Sequence, residues 1–276
     1  MNDLIVIVVL YNKNISDLPI IMHGSFMKDS SIDIFVYDNS MESQYVPKIE
    51  GFNFYYIHDK SNAGVSKAYN SGIKKAKELN KKYVLLLDQD SSVLASNLEK
   101  YLFLAERYGE NYIYAPVMYS KNMIYSPACV NHFIGKVQGL NTFVYQEIYS
   151  LKKKSLINSG LMIPIKVIDV IGYFDENIKL DFSDFYFIEK YKKINQDIIL
   201  LNLYIQHKLS GNEDKNYTVE MLRYKYYCNG AKFFNISTNT FRLIPPFRRM
   251  LSLIIKYKNL KPIGIFLGYF IGNKRI

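Results

Sequence analysis

The 276-residue sequence predicts an α/β fold, with a mixed, mostly parallel central sheet, flanking helices and a C-terminal helical appendage. Three observations carry this. Leu4–Leu10, Asp33–Tyr37, Phe52–Ile57 and Tyr83–Leu87 are apolar runs with little polar alternation, the pattern of strands covered on both faces of a parallel sheet. A stretch of helical periodicity separates the third run from the fourth, so strands and helix alternate as in βαβ units. Polar residues follow the carboxyl ends of these runs, where ligands bind in open α/β sheets.

In chain order, LIVIVVL (4–10) is a first strand ending in Tyr11 and Asn12, and DIFVY (33–37) ends in Asp38, Asn39 and Ser40. FNFYYI (52–57) leads to Asn62 and Gly64. From Gly64, the residues Val65, Ala68, Tyr69, Gly72, Ile73, Ala76 and Leu79 share one helix face. YVLLL (83–87) then runs into Asp88, Gln89 and Asp90. Alternation along a strand lets the two acids lean to one side and offer hard oxygen donors to one cation. An isolated D-x-D is more often a solvated turn, and Asp38-Asn39-Ser40 reads equally well as a plain turn.

Farther on, 94–108 predicts a helix, 112–116 a strand, and 121–151 antiparallel or irregular structure. SLINSGLMIP (155–164) predicts a strand in which Ser159-Gly160 permits close backbone approach to a ligand, and Pro164 opens a short helix ending at Gly172. Asp181 and Asp184 stand at the start of a helix whose apolar face is Phe182, Phe185, Tyr186 and Ile188. Acids in a first turn ordinarily serve capping and the helix dipole; desolvated beside a cleft, they become bases. A late strand, 197–203, precedes His207, a candidate third metal ligand, and 217–235 reads as helix.

Charge is unevenly distributed. Residues 1–220 hold 24 Lys and Arg against all 25 Asp and Glu, whereas 221–276 hold 11 Lys and Arg and no acid. The basicity is a property of the tail, which argues against nucleic acid as the partner of the whole chain. Residues 241–276 form two apolar-and-basic segments split at Lys261-Pro262, a composition that suits a helix lying in an anionic membrane surface. Packing of the tail on the main domain is the alternative. Gly264, Gly268 and Gly272 would leave one helix face smooth for close packing. Cys129 and Cys228 have neither disulfide-framework nor metal-ligand spacing and fit a reducing compartment. The N-terminus has no basic region before its apolar run and reads as a strand, not a signal peptide.

Several motifs in this order, VVLYN (8–12), YDNS (37–40), SNAGVSKAYNSGI (61–73), LLLDQDS (85–91), NSGLMIP (158–164), GYFDENIKLDFSD (172–184) and H-x-x-x-G (207–211), carry a resemblance. Over residues 3–230 the sequence resembles the family-two inverting glycosyltransferases of GT-A, Rossmann-like fold, within them the rhamnosyltransferase-like branch of bacterial polysaccharide synthesis. The resemblance implies a catalytic domain over 1–235, with a nucleotide-binding half at 1–90 and an acceptor half at 91–235, and a basic tail at 236–276. It implies Asp38 as the nucleobase contact, Asn62 and Gly64 as the turn lining the nucleotide, and Asn70 as a supporting helix residue. Asp88 and Asp90 would place Mg²⁺ or Mn²⁺ on the diphosphate, with His207 as a further contact. Asp184 matches the catalytic base and Asp181 the acid before it.

The implied donor is dTDP-rhamnose, with UDP-galactofuranose or another UDP-hexose behind it. The expected acceptor is a glycan or polyprenyl-linked glycan, and the tail suggests that it is met at the cytoplasmic face of the membrane; no oligomeric state is implied. The sequence departs from the family at Tyr186 and Lys190, where an acid and an Arg are common, and at Cys228-Asn229, where Arg-Asn is common. A nucleotidyltransferase would carry a Gly-rich loop directly after the first strand, where this chain has Tyr11-Asn12-Lys13-Asn14. A non-catalytic membrane-surface or nucleic-acid-binding protein would explain the tail but not paired acids at strand ends.

Overall fold

A computed structural model describes residues 1–22, 31–120, 123–131, 136–140, 143–206, 216–238 and 243–274. The first half alternates strand and helix: β1 (Leu4–Leu10), the single turn α1 (Pro19–Met22), β2 (Ile32–Asp38), β3 (Phe52–His58), α2 (Val65–Glu78) and β4 (Tyr83–Asp88). Every residue of β1 and β2 is buried, which is why neither run alternates in polarity. After α3 (Leu98–Tyr108) come β5 (Tyr114–Ser120), β6 (Met123–Asn131), β7 (Lys136–Leu140), β8 (Ile148–Ser150), β9 (Lys154–Ser155) and β10 (Met162–Pro164). The chain closes with α4 (Ile165–Ile171), α5 (Ser183–Tyr191), β11 (Asp197–Gln206), α6 (Tyr217–Thr238), α7 (Ile244–Tyr257), α8 (Lys261–Ile265) and a π-helical turn, Phe266–Ile271.

The sheet runs β3-β2-β1-β4-β10-β5-β11-β8. Its left half is parallel, with Leu10 opposite Asp38, Val9 opposite Asp88, and Asp38 opposite His58. That register delivers three polar strand ends to one edge. β10 enters antiparallel between β4 and β5, and β5 pairs in parallel with β11. One core, including Ile7, Ile73, Leu86, Phe187 and Ile198, lies on one face of the sheet; another, including Val8, Ile34, Leu85, Leu98 and Tyr114, lies on the other.

Several sequence expectations are corrected. The 155–164 run is not one strand: Ser155 ends β9 and Met162–Pro164 form β10, interrupted where Gly160 adopts φ +82° and its N–H turns back to Leu86 O at 2.7 Å. Asp181 lies outside α5, separated from it by Phe182 at φ +76°. The buried face of α5 is Phe187, Ile188 and Tyr191, with Phe185 and Tyr186 only half-buried. The 235/236 boundary falls inside α6.

The tail is not a free appendage. Met250, Leu253, Ile265, Phe266 and Phe270 close a third core with Met221, Tyr224, Cys228 and Ala231 of α6. Burying each large side chain contributes about 1.5–3 kcal/mol, so seating this face on α6 is strongly favoured over leaving it in water. The glycine stripe takes no part in that packing: Gly264 faces open space and Gly272 meets the carbonyls of its own preceding turn. Cys129 and Cys228 are both free thiols.

Candidate active site

The diphosphate-side expectation falls on the end of β4. The Asp88 N–H faces two hydroxyls, Ser91 Oγ at 3.1 Å and Ser159 Oγ at 3.3 Å, which also contact each other. Gly160 makes this approach possible, since a Cβ there would collide with Pro116. The loop after β1 is fastened to the same turn: Tyr11 N–H donates to Gln89 Oε1 at 2.8 Å and Lys13 Nζ to Gln89 O at 2.6 Å. Asn12 takes φ +53° and donates its N–H to Ser40 Oγ at 2.8 Å, joining the ends of β1 and β2.

Asp38 is fully buried and accepts from Ser40 N (2.9 Å), Gln44 Nε2 (2.8 Å) and Tyr56 Oη (2.9 Å). Burial opposes its ionisation, but the bonds from Ser40, Gln44 and Tyr56 outweigh it and hold the carboxyl below its usual range. Asn39 beside it is 4% exposed and its Oδ1 has no protein partner. Asn62 lies at φ +48° and Gly64 at φ +96°; an added Cβ at Gly64 would overlap the Lys179 carbonyl.

That contact begins a seam between α2 and the loop carrying Asp181. Val65 N–H donates to Lys179 O at 2.8 Å, and Ser66 Oγ donates to Ile178 O at 2.5 Å. With the Ser66 proton so engaged, Ser183 must donate to Ser66 Oγ across their 2.9 Å contact. Asn70 Nδ2 donates to Phe174 O (3.0 Å) and Glu176 Oε1 (2.9 Å), while its Oδ1 accepts from Phe174 N (3.0 Å). Helix α2 thus fixes the position of α5 and of Asp184.

Asp184 sits deep among protein atoms with part of its surface still open. Burial pushes its carboxyl up to about 7, Asp181 and Asp88 add to the rise, and the Phe185 N–H at 2.8 Å opposes it. Tyr69 links the two halves: its hydroxyl is 3.4 Å from Asp88 Oδ1, and burial followed by the charges of Asp88 and Asp184 drives its pKa well up. The acids from β4 and α5 therefore feel one another electrostatically.

The model of glycosyl transferase family 2 matches residues 5–166, more than half of the chain. The chain belongs to that family. Solved glycosyltransferase structures share the fold at low identity. "S. aureus TarS 1-349 in complex with UDP-GlcNAc" aligns with TM-score 0.57 and 14% identity over 97% of this chain and 79% of that one. "GalNAc-T7 with UDP, GalNAc and Mn2+" gives TM-score 0.56 and 12% identity over 93% and 58%. "Mannosyltransferase PcManGT from Pyrobaculum calidifontis in complex with GDP-Man and Mn2+" gives 0.52 and 12% over 99% and 76%. No curated protein matches significantly.

In this family-two glycosyltransferase, Tyr11, Asn12, Asp38, Asn39, Asp88, Gln89, Ser159 and Gly160 gather at one sheet edge, with Asp184 coupled to them. Asn70, the expected supporting helix residue, has its amide taken up by Phe174 and Glu176, so the support it gives is to the 174–176 loop. His207 lies outside the described residues. Among the described residues no group of three or more His, Cys, Asp or Glu could hold a metal ion. The two carboxylates Asp88 and Asp90 nevertheless fit Mg²⁺ or Mn²⁺, ions that take one or two acids and complete their shell with phosphate oxygens and water.

Sequence reasoning missed Gln44 and Tyr56 behind Asp38, Lys13 on Gln89, and Ser66 beneath Ser183. Tyr69 was legible only as one more apolar position of a helix face. Its hydroxyl, one ring beyond the packed portion, was the available signal.

Proposed function

We propose that the protein transfers a sugar with inversion, L-rhamnose from dTDP-rhamnose, onto a hydroxyl of a glycan or lipid-linked acceptor. The observation that supports this most is Asp184, a carboxyl whose proton affinity is raised to about 7 within reach of the charge of Asp88. A base with that affinity can take a hydroxyl proton near neutral pH.

In this reading the acceptor oxygen bonds to the anomeric carbon from the side facing Asp184, and its proton passes to the Asp184 carboxylate. The bond from that carbon to the diphosphate breaks, and its electron pair leaves with the nucleoside diphosphate. Asp88 and Asp90 would hold Mg²⁺ or Mn²⁺, which supplies charge stabilisation for the leaving diphosphate. Asp38, kept ionised by its hydrogen bonds, organises the nucleobase end, and the buried Asn39 Oδ1 beside it is an acceptor without a protein partner. Asn62 and Gly64 turn the chain along the nucleotide.

A UDP-linked sugar is the second reading, favoured by fold neighbours described with UDP-GlcNAc and with UDP. Thermal-shift screening with dTDP, UDP and GDP sugars, each with and without Mn²⁺, separates them. Stabilisation by dTDP-rhamnose above the others supports the first reading; preference for a UDP sugar replaces it with the second.

The proposal places the enzyme on the inner membrane face. No described helix is long and apolar enough to cross a membrane. Phe247, Leu251 and Ile255 of α7, with Leu260, Ile263, Leu267 and Ile271 beyond it, are exposed in a segment rich in cations and free of acids. Anionic vesicles should float the full chain, and Leu251→Ser with Ile255→Ser should weaken the association. A full chain that stays at the bottom of the gradient removes the membrane from the reading.

A further inference from the structure

The loop that carries Asp181 is gripped from the C-terminal side by groups that the transfer reaction, as read above, does not use. Gly230 of α6 lies so close to the Asp181 carbonyl that a Cβ would overlap it. Phe182, the next residue, sets its ring 4.9 Å from Tyr227 and 5.7 Å from Phe234, both of α6. From α7 comes Arg249. Its guanidinium carbon lies 4.4 Å from the Tyr227 ring centroid, and its Nη1 is 3.9 Å from Asp181 Oδ1. The other oxygen, Asp181 Oδ2, is buried and has no hydrogen-bond partner.

These contacts describe an under-supported acid. A carboxyl group with one buried, unpartnered oxygen is costly. Its neighbours make the cost larger. Asp184 follows three positions on, and Asp88 contributes further negative charge, while the hydroxyls of Tyr69 and Tyr227 face the cluster and stay protonated. Among the described residues, Arg249 is the cation paired with Asp181. Its cation lies over the Tyr227 ring, which holds the guanidinium beside Asp181. Packing alone would be served by an apolar residue on this half-buried side of α7.

We infer that Arg249 is a positioning residue of the catalytic loop, holding the Asp181 side chain so that Asp184 stays aimed at the acceptor. The C-terminal helices are then part of the catalytic unit as well as a surface. This rests on the reading of Asp184 as the base. It extends that reading by giving the tail a chemical task, carried by one side chain at the far end of the sequence.

The test compares Arg249→Ala, Arg249→Lys and Lys256→Ala in the full chain. Lys256 sits on the same helix but pairs with Glu220 at 3.0 Å, so its loss perturbs tail docking without touching Asp181. Arg249→Ala is expected to lower kcat about tenfold or more, as misplacement of a reacting group does, with donor KM within about twofold. Lys256→Ala is expected to keep kcat. Arg249→Lys recovers part of the loss, and millimolar guanidinium added to Arg249→Ala recovers part of it too. A role in folding alone would produce no such rescue.

Arg249→Ala with wild-type kcat, or a loss equal to that of Lys256→Ala and insensitive to guanidinium, overturns the inference. Should Arg249→Ala fail to fold, Arg249→Gln takes its place under the same criteria. Asp184→Asn is assayed alongside. Turnover surviving in Asp184→Asn removes the base assignment itself, whereas an inactive Asp184→Asn beside a fully active Arg249→Ala removes only the role of Arg249.

Discussion

Replacing Asp184 with Asn should make the protein more stable, and the gain should depend on pH. Asp184 has its carboxyl raised from 3.8 to about 7 by burial and by the nearby acids. Between these values the folded state holds a proton that the unfolded state has released. Stability from this group is therefore full below about pH 4 and is lost as pH rises through about 7. At roughly 1.4 kcal/mol per pH unit, the ceiling on that loss is about 4 kcal/mol. Asp184 is partly open to solvent, which screens its neighbours, and half of the ceiling is the realistic value. Asn keeps the shape and carries no charge to desolvate. In a chain of this size about 2 kcal/mol corresponds to a rise of about 4 °C or a little more.

Differential scanning fluorimetry of both proteins from pH 4 to pH 8.5 measures the difference directly. The two should melt together at pH 4, with the Asn variant pulling ahead as pH rises from about 4 to about 7 and the gap levelling off above that. Saturating Mn²⁺ with nucleotide should narrow the gap, because a cation at Asp88 cancels one of the charges that disfavour the Asp184 carboxylate. A pH-independent difference would mean that Asp184 ionises normally, and the case for it as a neutral-pH base would go with it.

Asp88→Ala should weaken metal-dependent donor binding by an order of magnitude while leaving the fold intact; unchanged calorimetric affinity in the presence of Mn²⁺ would detach Asp88 from the diphosphate. Gly64→Ala should destabilise the protein by about 1–3 kcal/mol, since it combines a positive φ with a Cβ driven into the Lys179 carbonyl; a melting temperature equal to wild type would contradict the seam between α2 and the 174–183 loop. Asn70→Leu should lose a comparable amount of stability by orphaning the Phe174 carbonyl and N–H, and should lower turnover more than donor affinity. Equal losses in both would mean that Asn70 touches the nucleotide after all.

The parallel half of the sheet was readable because local pattern and global burial agree there. Runs such as LIVIVVL and YVLLL have no polar face to hide, and their strand ends must meet wherever the strands pair in register. The glycines at 264, 268 and 272 misled for the opposite reason. Spacing names a face but not its neighbour, and α6 meets the tail through Phe266 and Phe270 instead. Asp181 was assigned to a helix because acids cap helices, yet Phe182 leaves the helical region between it and α5, held by rings from α6. Arg249 belongs to the same class of hidden residue. Nothing in its local sequence distinguishes it from Arg248, and only the fold-back of α7 gives it a partner.

The third core also bears on how the chain can be taken apart. Ending it after α6 would strip the cover from Met221, Tyr224 and Cys228, all of which are buried. A shortened chain would then report the damage to α6 along with the absence of the tail, and the two losses could not be told apart. Surface substitutions such as Leu251→Ser leave that core closed and isolate the membrane question. The same coupling limits modular exchange, because a tail grafted from a relative would have to bring a matching α6 with it.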